Sequence, residues 1–69
     1  MDLSKGLLFT GRWFKGTVKV VEVKEATNEL KVECKSPGLN SWWDETWNLQ
    51  HTYWGFENGD YFIDKNVTG

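Results

Sequence analysis

The sequence predicts a mainly β domain of five short strands, with one short helix before the last strand. Residues 30–35 alternate between apolar and charged side chains, which is the period-2 pattern of a half-buried strand. Tryptophan and threonine, which favour strands, make up four of the six residues 42–47. The pairs Pro37-Gly38 and Asn58-Gly59 are turn signals. We place strands at 12–16, 17–24, 29–35, 41–48 and 60–64, and the helix at 49–57.

The length of the chain favours a single domain, residues 1–69, near the lower limit of what folds without help. The lone Cys34 cannot form an intramolecular disulfide, so a dense core must supply the stability. Five Trp, four Phe and two Tyr offer that core. We expect most of the tryptophans inside, with three or four of the five at least half buried. The strand at 12–16 is expected to point either Trp13 or Phe14 inward.

A β-hairpin is the clearest element of the chain. In its second arm Leu30, Val32 and Cys34 share one face, and charged residues alternate with them. The chain is expected to reverse around Asn28, because asparagine tolerates positive φ.

The first arm of the hairpin changes phase in its middle. Val18 and Val20 share one face, whereas Val21 and Val23 fall on the other. Either this strand is covered on both sides, or a β-bulge at Val20-Val21 shifts the phase.

The stretch 41–48 is compatible with a strand or a helix. As a strand it divides its side chains between one face with Trp43, Glu45, Trp47 and Leu49 and another with Trp42, Asp44, Thr46 and Asn48. As a helix capped by Ser41 it would form one stripe of Trp42, Thr46, Leu49, Tyr53 and Phe56. The strand is favoured because Asn48 is a better cap for a separate helix over 49–57, which Asn58-Gly59 would end. In the last strand Tyr61 and Ile63 are expected opposite Phe62.

Part of this pattern resembles the SH3-like small β-barrel of KOW and Tudor modules. The resemblance rests on FKGTVKVVEV followed by NELKVE, and on the ending GFENGDYF. It implies a five-stranded SH3-like barrel with one short helix before the last strand. The tight glycine loop of KOW modules is absent, and EATN stands in its place. That departure argues against the nucleic-acid role of such modules.

The resemblance also implies where a ligand lies, which is against aromatic side chains from the loops and the short helix. The aromatic residues at matching positions are Trp42, Tyr53, Trp54 and Tyr61. Asp44 and Glu57 would form an acidic rim around them. Trp42, next to the loop SPGLN, is the ring expected to face solvent. Such a surface suits a Pro-rich peptide carrying arginine or lysine, or a single cationic side chain.

Catalysis and metal binding are not expected, and no cofactor is implied. His51 is the only histidine and Cys34 the only thiol, too few for a tetrahedral metal set. A nucleophilic pair would need the two in contact, but the alternation places Cys34 on the inward face of a strand, and His51 is expected to be exposed or to cap a helix. Asp44 and Glu45 are adjacent and point to opposite faces of a strand, so they cannot act together on one substrate. Glu45 is expected at the rim of the barrel, where it accepts an indole N–H from a tryptophan.

The charge distribution favours a protein or peptide partner over nucleic acid. Residues 1–35 carry seven Lys/Arg against five Asp/Glu, and residues 36–69 carry one against five. The alternative is single-stranded nucleic acid, whose bases would stack on Trp13, Trp42 and Trp54 and whose phosphates would follow Arg12, Lys15, Lys19 and Lys24. The aromatic excess lies in the acidic half of the chain, away from these basic residues, which favours a non-enzymatic protein-binding module or accessory protein.

Two further expectations concern location and assembly. No apolar run approaches the roughly 20 residues of a membrane span, and the start MDLSKGLLFTG does not have the pattern of a signal peptide. With one thiol, a cytoplasmic location is expected. The oligomeric state stays open, since an exposed edge such as VKVVEV could pair two copies.

Overall fold

A computed structural model describes residues 3–63 and shows the predicted mainly β fold. The strands are β1 (Leu8–Gly11), β2 (Phe14–Lys24), β3 (Glu29–Lys35), β4 (Trp42–Asn48) and β5 (Tyr61–Ile63). A 3-10 turn over Glu25–Thr27 joins β2 to β3, and the helix α1 (Leu49–Glu57) joins β4 to β5. All pairings are antiparallel, in the order β4-β3-β2-β1-β5. Within residues 3–63 the sheet is open, with β4 and β5 as its edges.

The predicted first strand at 12–16 is wrong. β2 runs unbroken from Phe14 to Lys24, so the segments predicted as two strands form one, and β1 comes earlier. Gly16, the last residue of the predicted first strand, lies within β2, where the strand passes very close to β3. A Cβ on Gly16 would be 2.3 Å from the carbonyl oxygen of Lys35. Trp13 lies in the turn between β1 and β2 and is 77% exposed. The segment VKVVEV therefore lies in an inner strand, not at an edge of the sheet.

The β2–β3 hairpin is confirmed in detail. Leu30, Val32 and Cys34 are buried along one face of β3. The register of β2 shifts between Val20 and Glu22, which is the bulge that the sequence offered as one of two explanations for the change of phase. Asn28 has φ 57° at the reversal, as the sequence indicated.

The fully buried core is aliphatic around one aromatic ring. Its most deeply buried side chains are Phe9, Val18, Val20, Leu30 and Val32. Aromatic rings surround Phe9, with centroids 5.0 Å away for Phe56, 5.6 Å for Tyr61 and 5.8 Å for Trp47.

The tryptophans contribute less to the core than composition suggested. Trp42, Trp43 and Trp47 are each more than half buried and Trp54 is 50% exposed, so four of the five reach half burial, within the expected range. None is fully buried, however, and Trp47 is the tryptophan that packs against the core. Smaller strand residues fill the interior instead, because Val18 and Val20 of β2 and Leu30, Val32 and Cys34 of β3 point inward at alternate positions.

The strand at 41–48 and the helix after it are confirmed. Asn48 caps α1, since its side-chain oxygen accepts the backbone N–H of His51 at 2.9 Å. The helix ends at Asn58-Gly59, where Gly59 has φ +80°.

Helix α1 and strand β5 lie together at one end of the fold. Gly55 of α1 is buried against the ring of Tyr61, and a Cβ on it would be 2.3 Å from that ring. Phe62 is exposed, opposite Tyr61 and Ile63 as predicted. Asp64, the last residue of the predicted strand, lies outside the described residues.

Candidate functional site: an aromatic groove on the inner face of the sheet

Strand β4 presents three side chains in a row on the inner face of the sheet. Trp43, Glu45 and Trp47 alternate along the strand, opposite Cys34, Val32 and Leu30 of β3. The indole N–H of Trp43 donates to one carboxylate oxygen of Glu45 at 2.6 Å, and that of Trp47 donates to the other at 2.8 Å. The expectation that Glu45 accepts an indole N–H is confirmed, with two indoles rather than one.

These side chains line an open groove of about 350 Å³. Its apolar surface comes from three strands: Phe14 and Val18 of β2, Cys34 of β3, and Trp43 and Trp47 of β4. The groove is bordered by Lys15, Gly16 and Thr17 of β2, Lys35 of β3, and Ser36 and Pro37. The helix α1 packs against β4 and β5, and none of its residues lines the groove. The groove is therefore a part of the inner sheet face that the helix leaves uncovered.

Glu45 supplies a negative charge to this largely apolar surface. The hydrogen bond from Trp43, and then that from Trp47, lower the pKa of the Glu45 carboxyl, because both stabilise its ionised form. Burial, and secondly the charge of Glu45, raise the pKa of the Cys34 thiol to about 11. At neutral pH the groove thus combines the carboxylate of Glu45 with a neutral thiol, and Lys15 and Lys35 lie at its border. Both indole N–H groups are already satisfied.

The structure places Trp42 on the other side of the sheet from this groove. Trp42 faces Lys35 across the β3–β4 ladder, and the ammonium groups of Lys19 and Lys35 lie 4.7 and 5.7 Å from its ring centroid. The ring is consequently only partly exposed. Trp42 therefore lies on the outer face, as expected, but its ring is partly covered, and Trp43, at 45% exposure, is the more exposed of the pair. Asp44 lies on the outer face with Trp42, opposite Glu33.

Three other predicted site residues lie together between α1 and β5. A second cavity of about 350 Å³ is lined by Tyr53 and Glu57 of α1 and by Tyr61 of β5. Burial, and then the charge of Asp60, raise the pKa of Tyr61. Tyr53 and Tyr61 also pack against the core.

Trp54 is separate from that cavity. It is half exposed on α1, and its ring stacks on His51 with centroids 5.2 Å apart. The six predicted residues therefore occupy the outer sheet face, the cleft between α1 and β5, and the helix surface, and do not form one continuous site.

Sequence reasoning assigned Trp43, Glu45 and Trp47 to the inner face but interpreted that face as core. The signal that could have identified the groove is their spacing at i, i+2 and i+4 on a strand. A carboxylate between two tryptophans on an inner face needs hydrogen-bond donors, and the two indoles are the nearest ones in sequence. Phe14 carried no such signal, because it joins the site only through strand pairing.

Among residues 3–63, no group of three or more His, Cys, Asp or Glu side chains is arranged to hold a metal ion. The same residues contain no helix with the length and apolar character needed to span a bilayer. The chain matches no protein-family model, and neither a curated protein nor a solved structure shows significant similarity to it.

Proposed function

We propose that this protein is a small non-enzymatic binding module that holds a basic segment of a protein or peptide in the groove between β2 and β4. The observation that carries the proposal is the row of Trp43, Glu45 and Trp47, in which one ionised carboxylate lies between two aromatic rings on an open apolar surface.

This row suits a cationic side chain for two reasons. The faces of tryptophan rings attract cations, and a carboxylate adds a charge-assisted hydrogen bond. Glu45 uses one acceptor position on each oxygen for the indoles, and a carboxylate has roughly four such positions. Acceptor positions therefore remain for an arginine or lysine. The two indoles also hold the carboxylate in place, so little side-chain entropy is lost when the ligand binds.

The fold that we propose for this module is an SH3-like barrel. The strand order β4-β3-β2-β1-β5 supports it, as does the position of α1 between β4 and β5. The cytoplasmic location inferred from the single thiol belongs to the same proposal.

The experiment is a titration of the ¹⁵N-labelled protein with a Pro-rich peptide that carries arginines. Each of the five tryptophans gives its own indole N–H signal, so the binding face is read directly. The signals of Trp43 and Trp47 should shift, while that of Trp13, in the β1–β2 turn, should not. A matched peptide with citrulline in place of arginine keeps the shape and removes the charge, and it should bind at least about tenfold more weakly.

The matched protein variants are Glu45→Gln and Glu57→Gln. Both remove one carboxylate by the same chemical change, but Glu57 lies at the cavity between α1 and β5. Glu45→Gln should weaken binding by about tenfold or more, since a hydrogen bond to a charged group contributes roughly 1.5 to 3 kcal/mol. Glu57→Gln should leave the affinity nearly unchanged. The reverse pattern would move the site to the cleft between α1 and β5, and no shift with any basic peptide would refute the proposal.

Single-stranded nucleic acid is the second candidate, and the outer sheet face favours it. There Trp42 lies beneath the ammonium groups of Lys19 and Lys35, a combination that can stack a base and contact a phosphate. Lys19 is also paired with Glu33 at 3.2 Å, which competes with a phosphate. We expect no binding to a fluorescent single strand tighter than roughly 10⁻⁴ M at physiological salt. Micromolar binding that weakens steeply with salt and is lost in Trp42→Ala would establish this alternative.

A further inference from the structure

We infer that the partner is an extended segment that adds as an antiparallel strand to the free edge of β4, and that it carries two consecutive basic residues. One basic side chain would face Glu45 in the groove, and its neighbour would face Asp44 on the outer side. The inference rests on the function proposed above and specifies the shape and sequence pattern of the ligand.

The edge of β4 has the form that strand addition needs. All seven of its residues, Trp42–Asn48, pair with β3 in one uninterrupted register. Within residues 3–63 no strand pairs with its other side. The strand contains no lysine and no proline, which commonly protect exposed edges from pairing. Its inward-pointing Glu45 is a protecting charge of another kind, which a basic side chain in the added strand would neutralise. A further strand at this edge would lie beside the groove, because Trp43, Glu45 and Trp47 line both.

The two acids of β4 select what can pair there. Asp44 and Glu45 are consecutive, so they project to opposite faces of the sheet. A strand beside β4 places one side chain opposite each of them, about 4.5 to 5.5 Å away between Cβ atoms. Two consecutive basic residues match this arrangement with one cation on each face. A strand with acids at these two positions would be repelled.

A second copy of this protein does not satisfy that requirement. If two β4 strands paired antiparallel about their common centre, Glu45 would lie opposite Glu45 of the other copy, with Asp44 opposite Thr46. Like charges directly opposite one another destabilise a strand pair. The charge pattern therefore favours a basic partner over self-association.

The neighbours of the basic pair follow from the same register. On the inner face, the residues on either side of the cation facing Glu45 lie beside Trp43 and Trp47, where apolar β-branched side chains pack well. On the outer face, the position opposite Thr46 accepts a small polar residue. A capped heptapeptide with the order Thr-Val-Thr-Arg-Lys-Val-Thr meets these conditions, with arginine opposite Glu45 and lysine opposite Asp44.

The test uses this heptapeptide in two N-methylated forms. In a paired strand, every second backbone N–H points to the neighbouring strand. In one form the backbone nitrogens of two residues at positions i and i+2 are methylated. In the other form the methyl groups are on positions i+1 and i+3. Strand addition predicts that one form loses at least about tenfold in affinity, because its hydrogen bonds to β4 are removed. The other form should bind nearly as well as the unmodified peptide. Alternate backbone amides of β4 should also become protected from hydrogen exchange.

Other outcomes separate this inference from the proposed function. If the Pro-rich arginine peptide shifts the Trp43 and Trp47 signals but the heptapeptide does not bind, the groove binds cations and strand addition is refuted. If the heptapeptide binds and neither methylated form is weakened, side chains alone make the contact, and the inference again fails. Binding of the heptapeptide should weaken in Asp44→Asn as well as in Glu45→Gln, and an unchanged affinity in Asp44→Asn would contradict the basic pair. Protection of β4 amides in a dimer of the protein alone would show that the edge is occupied by a second copy.

Discussion

The carboxylate of Glu45 accepts the indole N–H of Trp43 at 2.6 Å, two residues away on the same strand. Alternation along β4 brings the two side chains to one face, and Trp47 repeats the contact from the opposite side. This relationship satisfies the polar atoms of two large rings with one charge. The rings can therefore border an open groove without exposing an unpaired donor.

We predict that Glu45 makes the stability of the protein depend on acid pH. The folded pKa is lowered by the bonds from Trp43 and Trp47, so the contribution of Glu45 is fully present above the unfolded pKa of about 4.3. It is lost as the pH falls through the folded pKa. Because the carboxylate is exposed, solvent limits this contribution to less than about 1 kcal/mol.

The measurement is the free energy of unfolding in urea, from neutral pH downward, for the native protein and Glu45→Gln. The difference between the two should change as the pH falls through the folded pKa of Glu45 and become independent of pH below it. A difference that stays constant with pH would mean that the carboxylate charge does not strengthen the indole bonds.

Cys34 should resist thiol reagents until the protein unfolds. Its side chain is buried and its pKa is raised to about 11, so the reactive thiolate is scarce near neutral pH. We expect reaction with a disulfide reagent to be slow in buffer and to become fast in denaturant. Rapid modification of the native protein would show that the floor of the groove opens freely to solvent.

The same raised pKa predicts a loss of stability in alkali. Between the ordinary value of 9.0 and the folded value of about 11, the unfolded chain binds fewer protons than the folded one. Stability should therefore fall as the pH rises through this interval. Cys34→Val, which does not titrate, should lack this part of the pH dependence.

Trp47 and Trp13 should differ sharply in their effect on stability. The ring of Trp47 packs edge-to-face against Phe9 and Phe14 and lies 5.7 Å from Tyr61. Trp47→Ala should destabilise the protein by about 3 to 5 kcal/mol. Trp13 projects from a turn at 77% exposure, and Trp13→Ala should change the free energy of unfolding by less than about 0.5 kcal/mol. Chemical denaturation measures both, and equal losses would contradict the packing described for β4.

Gly55→Ala should destabilise the protein even though alanine favours helices. The helix itself would gain about 1 kcal/mol, but the new Cβ would be 2.3 Å from the ring of Tyr61. Moving a packed ring typically costs about 1 to 3 kcal/mol, so we expect a lower melting temperature. Gln50→Ala, at an exposed position of the same helix, is the control and should have little effect. A stabilised Gly55→Ala protein would show that Tyr61 moves aside without loss.

The sequence by itself determined the elements whose causes are local. Alternating side chains predicted the buried face of β3 because a strand has a period of two. Asn28 predicted the hairpin reversal through its tolerance of positive φ, and Asn48 predicted the start of α1 through its capping side chain. Even the bulge next to Val20 was indicated, since a bulge shifts the phase of the hydrophobic pattern.

Tertiary structure alone decided where β2 begins and which tryptophan is exposed. Gly16 continues a strand because the carbonyl of Lys35, nineteen residues later in the chain, occupies the space of its side chain. Trp42 is partly covered because Lys35 of β3 and Lys19 of β2 lie over its ring. The groove joins Phe14 to Trp43 and Trp47 in the same way. These relationships depend on register between strands distant in sequence, and a local pattern carries no information about register.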